Sequence, residues 1–577
     1  MEEAKLEEVI YDFIIVGSGP AGSALAWSLA HSANNNVRIL LMEAGGLNDD
    51  YNLRVDGQRW QTFQNKEMNW GYKTIPQTHC GNRELDYARG KGMGGSSAIN
   101  FSVFTVGAKD DYDEWARRVG DGAFRWENMQ RRLKSLETFH SELPSGVHPK
   151  FASPKPSDHG TQGPLRVGYP RELEEDLIPL MVTLEKAGLP LNPDHNSGNP
   201  LGMSLMISSA HHGVRSTSAD LLVELPGDVV ILTDSPVQRI LLEGKKAVGV
   251  ESNGKRYLVS KEVILCAGSL DTPRILMHSG IGPSDQLQKY SIPVVLDMPA
   301  LGRGLRDHIL TPLLHKRTVA SGSKKGEFYG DQAAMDAAME EWKKDGSGPW
   351  AKFGCGMGIG FFKLGKSLMS FPEFTELPAA EQKHLLRETI PHYELATHFP
   401  IHMAIPGSVK DDKESYQYLC LILFLPHAQS RGTVSLQSSD PGVPLLYDPH
   451  FLESAFDRRV AVEALRSVLE LTKFEEYAKD TIETLSGPKS ESDEDLLDYW
   501  RQTGCSSWHM TGTAKMGRRG HEDAVVDSDF RVIGIDGLRV ADMSVVPVLL
   551  SGHTQAAAYL TGLTCAERIL EKYYRSV

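Results

Sequence analysis

The 577-residue chain is poor in cysteine, has no long apolar run and carries no excess of positive charge. Its six cysteines (Cys80, Cys266, Cys355, Cys420, Cys505, Cys565) are scattered, and none forms a CxxC pair. That usage excludes a disulfide framework and reads as reduced, mostly buried thiols of an intracellular protein. The longest apolar run, YLCLILFLP (Tyr418 to Pro426), is too short to span a bilayer. No basic segment precedes an apolar one in MEEAKLEEVIYDFIIVG, and the last residues, YYRSV, are not a peroxisomal SKL tail. A cytoplasmic location is the expectation from these absences. A net charge of −14 argues against nucleic acid or an anionic membrane as partner. No internal repeat and no low-complexity tract interrupts the chain.

What is present begins at once. DFIIVGSGPAGSALAWSLAHSANNNVRILLMEAG reads as strand, turn, helix, strand, with FIIVG and VRILLMEAG as buried parallel strands. Gly17, Gly19 and Gly22 form G-x-G-x-x-G between the first strand and the first helix. The first glycine permits the tight turn, the second admits a pyrophosphate and the third lets helix and strand pack closely. Glu43 ends the second strand about 20 residues beyond, where a carboxylate takes ribose hydroxyls. The pattern predicts one dinucleotide site and does not distinguish FAD from NAD. No second fingerprint is present, so NAD(P)H as a co-substrate of a flavoprotein is disfavoured.

Further on, DYDEWARRVGDGAFRWENMQRRLKSLETF is helical, broken at Gly120 to Ala123. A Pro/Ser/Gly-rich loop follows. Residues 228–268 alternate apolar and polar residues, with turns at Glu243–Gly244 and Asn253–Gly254, and return to a buried strand, EVILCAG. SDEDLLDYWRQTG reads as an amphipathic helix and GHTQAAAYLTGLTCAERILEKYY as a long C-terminal one. ARGKGMGGSSAINFSVFTVG (Ala88 to Gly107) offers many backbone N–H groups at close approach, as an anionic cofactor requires.

With these segments the chain closely resembles the glucose-methanol-choline (GMC) family of FAD-dependent oxidoreductases. DFIIVGSGPAGSALA is similar to the family's FAD site, GKGMGGSSAIN to its first signature and CAGSLDTPRILMHSGIGP to its second. LGRGLRDH (Leu301 to His308) resembles a segment that usually has Asn where this chain has Gly304. WHMTGTAKMG and the residues from VVDSDF to GHTQAAA match throughout. The resemblance implies that Ser18, Ala21, Glu43, Ala44 and the loop carrying Gly92, Gly94, Gly95, Ser96, Asn100 and Val103 line FAD. It places Val237 at the adenine, Asp542 and Met543 near the pyrophosphate or ribityl chain, and Ala267, Gly268, Trp508, Thr554 and Gln555 against the cofactor. Some members attach FAD through a histidine where this chain has Ile99, so the FAD is expected to be non-covalent.

His509 and His553 are the candidate catalytic residues. A metal site would need a third ligand at suitable spacing, and no HExxH or CxxC pattern supplies one, so no metal is expected. In the family such a pair faces flavin N5. A neutral imidazole suits removal of an alcohol proton near pH 7. His509 is the proposed base and His553 its hydrogen-bonding partner; the sequence does not decide which of the two takes the proton. Trp508 supports the imidazole or contacts flavin. The helix that starts near His553 aims N–H groups at charge developing on the flavin.

The expected fold is α/β: a discontinuous Rossmann-like FAD-binding domain (residues 1–160, 206–310 and 505–577) with an α+β substrate-binding domain on an antiparallel sheet (161–205 and 311–504). The expected reaction is oxidation of a small-molecule alcohol, with molecular oxygen or another electron acceptor. A hydroxynitrile lyase, a fatty-acid photodecarboxylase and a non-catalytic flavin-binding protein are the alternatives. The substrate pocket has no motif, and glycine-rich KFGCGMGIGFFKLG (Lys352 to Gly365) is a candidate for its entrance. Nothing in the sequence fixes the oligomeric state.

Overall fold

The computed structural model describes residues 9–32, 37–144, 146–318, 331–352, 357–399 and 417–574. Two sheets carry the site. In chain order their strands are β1 (Ile10–Val16), β2 (Arg38–Met42), β3 (Gly202–Leu205), β4 (Asp228–Leu232), β5 (Val237–Glu243), β6 (Lys246–Ser252), β7 (Lys255–Leu265), β8 (Ile309–Arg317), β9 (Gly358–Phe362), β10 (Tyr393–Ala396), β11 (Gln417–Leu425), β12 (Thr481–Ser486), β13 (Cys505–Ser506) and β14 (Leu538–Val540). The helices that matter here are α1 (Pro20–Ser32), α2 (Gly268–His278), α3 (Ala455–Thr472), α4 (Asp493–Thr503) and α5 (Thr554–Tyr573).

The first sheet has the order β4-β2-β1-β7-β6-β5, with β14 also paired to β7. Its β4-β2-β1-β7-β14 portion is parallel. Phe13, Ile14, Ile15, Ile39, Leu40 and Leu41 are fully buried, which is why these strands read as unbroken apolar runs rather than alternating ones. The β5-β6-β7 hairpins are antiparallel. Gly244, Asn253 and Gly254 take positive φ at the two predicted turns, as tight hairpin connections require.

The second sheet has the order β12-β8-β11-β10-β9-β3, with β13 paired to β8. Its β8–β11 ladder runs antiparallel from Ile309↔Leu425 to Arg317↔Gln417. The run YLCLILFLP is therefore a buried strand. Behind the sheet, Trp500 of α4 donates to the Ala461 carbonyl of α3 at 2.8 Å. The α/β class expected from the sequence is the one observed: a Rossmann-like parallel sheet joined to an antiparallel one.

One expectation needs correction. Glu137–His140 does not continue the preceding helix but pairs in parallel with Leu165–Gly168; the β-branched and aromatic residues of ETFH suit a strand. The glycine-rich stretch at 352–365, the candidate entrance to the substrate pocket, holds strand β9. A Cβ on Gly360 would meet the Phe362 ring at 2.6 Å, so the glycine makes room for packing; residues 353–356 lie outside the described residues. Among the described residues no helix is long and apolar enough to cross a membrane.

The C-terminal segment crosses from one sheet to the other: β13 extends the second sheet and β14 joins the first. Beyond it, α5 lies on α1, where a Cβ on Gly562 would press into the Ala21 carbonyl. Gly562→Ala therefore overpacks this contact and is expected to destabilise by about 1–3 kcal/mol. A lower melting temperature of the flavin-loaded protein is the readout; an unchanged one would show that the two helices can separate at no expense.

Candidate active site

A cavity lies where the C-terminal ends of β1, β2 and β7 meet the second sheet. Val16, Met42 and Cys266 line it from one side; Leu310, Ile359, Glu394 and Phe424 line it from the other. Residues at the starts of α1, α2, α5 and the short turn Ser96–Ile99 also line it. No side chain caps the last three of these. Several positive helix ends thus converge on one space, which suits an anionic ligand.

The glycines fit an extended dinucleotide. Gly17 has φ +104° and Gly95 φ +50°, conformations that favour glycine. A Cβ on Gly95 would sit 2.7 Å from Gly19 Cα, whereas the nearest atom to a Cβ on Gly19 is 4.0 Å away. The two backbones nearly touch, and the space beside Gly19 stays open for a phosphate group.

Glu43 is buried and accepts four hydrogen bonds. Oε2 takes the Ser18 N–H at 2.9 Å and the Ser18 hydroxyl at 2.8 Å; Oε1 takes the Gly45 N–H at 3.0 Å and the Gly92 N–H at 2.9 Å. The carboxylate thus clamps the first βα turn to the glycine-rich loop. A ribose hydroxyl donating to it would share an oxygen already in use.

Most sequence-predicted residues line the cavity: Gly17, Gly19, Ala21, Glu43, Ala44, Gly95, Ser96, Asn100, Val103, Val237, Ala267, Gly268, Trp508, His509, Asp542, Met543, His553, Thr554 and Gln555. Ser18, Gly22, Gly92 and Gly94 do not. Ser18 and Gly92 sit behind the wall as donors to Glu43. A Cβ on Gly22 would collide with the Gly17 carbonyl, so it serves packing, and Gly94 takes φ +91° in the loop. Asn100 donates to Gln555 Oε1 at 2.9 Å. Asp542 accepts from the Gly268 and Ser544 N–H groups at 3.0 and 2.7 Å, and burial raises its pKa.

His509 and His553 face each other with ring centroids 4.6 Å apart. Each has a partner that the sequence did not single out. His553 Nε2 lies 2.9 Å from Glu394 Oε1, and its backbone N–H donates to the Thr105 hydroxyl at 2.6 Å. His509 Nδ1 lies 2.9 Å from His308 Nδ1 and 3.0 Å from Ser507 Oγ. The His509 N–H donates to buried Asp307 at 2.7 Å. The contacts to Glu394, Thr105, His308 and Asp307 bridge distant parts of the chain, so no local spacing announces them; only the LRDH segment carried a hint.

Electrostatics keep His509 neutral. Burial, reinforced by His553, His308 and Arg89, holds its pKa well below the usual 6.5. Burial likewise depresses His308, to about 3. Between Ser507 and His509, Trp508 takes φ +62°, rare for a bulky residue. Its indole N–H donates to Asp86 at 2.7 Å, its carbonyl accepts from Arg89 at 2.6 Å and its N–H reaches Ser506 Oγ at 2.9 Å. Those three bonds hold the conformation that aims His509 into the cavity.

Comparison with known proteins identifies relatives along nearly the whole chain. Sequence profiles described as GMC oxidoreductase match residues 11–310 and 428–562. Pyranose dehydrogenase 3 of Leucoagaricus meleagris is 31% identical over 96% of this chain and 91% of its own. An oxygen-dependent choline dehydrogenase of Rhizobium johnstonii is 30% identical over 97% and 96%. A solved structure of a mutant of Aspergillus oryzae formate oxidase, studied for its effect on FAD modification, superposes with a TM-score of 0.87 at 26% identity, covering 98% of this chain and 99% of that one.

Glu43→Ala removes the acceptor of four hydrogen bonds in one step. Leaving buried donors unsatisfied costs about 1–3 kcal/mol each, so flavin retention should fall sharply. The ratio of flavin to protein absorbance after gel filtration measures it; full retention would deny the clamp a role in cofactor binding.

Proposed function

This chain belongs to the GMC oxidoreductase family, FAD-dependent enzymes acting on CH–OH groups, and within that family we propose that it oxidises an apolar alcohol to an aldehyde or ketone, with His509 as the base. When bound, FAD supplies the acceptor for the hydride that leaves the carbinol carbon. The residues of this chain bind the cofactor, orient the alcohol and take its proton.

One hydrogen-bond pattern carries the assignment of the base. We assign the single proton of the Ser507 hydroxyl to the His308 carbonyl, 2.9 Å away, with Asp307 Oδ1 at 3.5 Å as its other acceptor. The oxygen facing His509 Nδ1 is then an acceptor, so Nδ1 bears the ring hydrogen. That leaves a lone pair on Nε2, which makes no hydrogen bond among the described residues. His308 Nδ1, 2.9 Å away, then accepts from the same Nδ1–H. His308 and Ser507 thereby fix the tautomer in which His509 can act as a base. On the opposite side Glu394 accepts from His553 Nε2, which fixes that ring as an orienting partner for the hydroxyl. The start of α5 supplies N–H groups toward charge that develops in the reaction.

The substrate wall favours an apolar molecule. Phe101, Val103, Leu310, Met357, Ile359, Phe399 and Phe424 line the cavity from the histidine side, and Phe424 lies 5.5 Å from the His553 ring. A sugar would leave many hydroxyls unpartnered there; a hydrocarbon or aryl alcohol would not. Ile99 lines the cavity without a nucleophilic atom, which supports non-covalent FAD. The two-sheet construction supports the division into an FAD-binding part (1–160, 206–310, 505–577) and a substrate-binding part (161–205, 311–504).

Anaerobic addition of aliphatic and aryl alcohols to the yellow protein should bleach the flavin band. His509→Ala should slow bleaching by about 10²–10⁴-fold. Bleaching by none of a broad panel, with turnover of cyanohydrins or only under light, would overturn the reading. Admitting air afterwards tells oxidase from dehydrogenase.

The pH profile tests the electrostatics. Because the pKa of His509 is depressed, its neutral, basic form persists as pH falls through 6.5. kcat/KM should hold level there and drop only in more acidic buffer. His308→Leu should lower the rate of flavin reduction about tenfold or more and change that profile, while His308→Gln, whose amide oxygen can still accept from Nδ1, should recover much of the rate. A purely structural His308 would change melting temperature without changing the profile.

A further inference from the structure

We propose that Asp111, His384 and His427 form a buried binding site for one divalent transition-metal ion of the imidazole-preferring class, with Zn²⁺ as its representative, behind the loop that carries His553. Asp111 lies on the helix Lys109–Val119, His384 near the end of the helix Ala379–Leu385, and His427 just beyond β11. All three are buried, and none lines the main cavity. Asp111 Oδ1 is 3.1 Å from His384 Nε2 and 3.6 Å from His427 Nε2; all three donor atoms lie within 4.8 Å of one another. An ion about 2.0–2.2 Å from each donor brings its ligand atoms to separations of this size.

Three observations favour a ligand over simple packing. His427 Nε2 is buried and makes no hydrogen bond among the described residues, an expensive arrangement unless something binds there. Asp111 is oriented for ligation: its Oδ2 accepts the Ser551 N–H and hydroxyl, both at 2.7 Å, which aims Oδ1 at the two imidazoles in the way second-shell bonds orient metal ligands. Two imidazole nitrogens and one carboxylate suit Zn²⁺ and its neighbours, not the all-oxygen coordination of Ca²⁺ or Mg²⁺. A small cavity lined by Leu385, His392, His427 and Phe456 adjoins His427. The ion would tighten Ser551 and, two residues on, His553.

The test uses the flavin-loaded enzyme, stripped with a chelator and then offered Zn²⁺ or Co²⁺. Expected are about one ion per chain by elemental analysis, a d–d absorption band of imidazole-bound Co²⁺ and a raised melting temperature with Zn²⁺. His427→Ala, which leaves the His384–Asp111 hydrogen bond in place, should abolish all three. His211→Ala, in a more exposed cluster with His140 and Glu142, should abolish none. No uptake and no Co²⁺ band in the stripped wild-type enzyme would overturn the proposal, whether or not the variants fold. So would unchanged uptake by His427→Ala, or uptake lost in His211→Ala instead.

Discussion

A buried carboxylate at the seam between the two sheets governs the geometry of the candidate active site. Asp307 precedes β8 and is shut off from solvent, and burial pushes its pKa up to about 7. An acid in that position must be supplied with donors. Ser506 Oγ, at 2.5 Å, and the His509 N–H, at 2.7 Å, supply them. Both come from a segment about 200 residues away, and only if that segment folds tightly over Asp307 and His308. The fold-over forces Trp508 into left-handed backbone, a conformation that costs about 1–3 kcal/mol for a non-glycine residue. The aim of the His509 ring is thus a by-product of satisfying a buried acid, and the strain at Trp508 is the visible sign of it.

The cofactor end follows the same logic with a different residue. Glu43 has its four acceptor positions filled by three segments: the first turn, its own strand end and the glycine-rich loop. This makes the acid at the end of β2 an organiser of the cradle as much as a ligand for it. Removing Ser18 or Gly92 from the list of cavity-lining groups does not diminish them; they hold the residue that holds the wall.

How much of this could be read from the sequence depends on how local each signal is. The β1–turn–α1–β2 unit was legible because burial on both faces writes an unbroken apolar run, and because only glycine tolerates the turn and the close approach at positions 17, 19 and 22. The hairpins at Gly244 and Asn253–Gly254 were legible for the same kind of reason. The pairing of His509 with His553 came through resemblance, since 44 intervening residues carry no periodicity that links them. His308, Asp307 and Glu394 were missed as functional residues because their roles exist only as contacts: His308 with His509, Glu394 with His553. The stretch at 352–365 gave no sign of its strand: Met357 and Ile359 line the cavity, and Gly360 is small to admit Phe362.

The two imidazoles are neighbours of one cavity but are held by different parts of the molecule. His509 hangs from the Asp307 seam and is oriented by neutral partners, Ser507 and His308. His553 starts α5, is oriented by a carboxylate on β10, and follows a loop pinned to Asp111 through Ser551. The 4.6 Å between their rings is therefore not a property of either segment; it is set by how closely the second sheet packs against the loop before α5. The grip on the dinucleotide, by contrast, is built almost entirely from the first sheet and the loop clamped by Glu43. Holding the cofactor cradle and aligning the two imidazoles are thus mechanically separate tasks in this fold. A disturbance of Asp111 or Asp307 can spoil the second while the first survives, so a protein that still carries its flavin is not, for that reason alone, one whose histidines are in register.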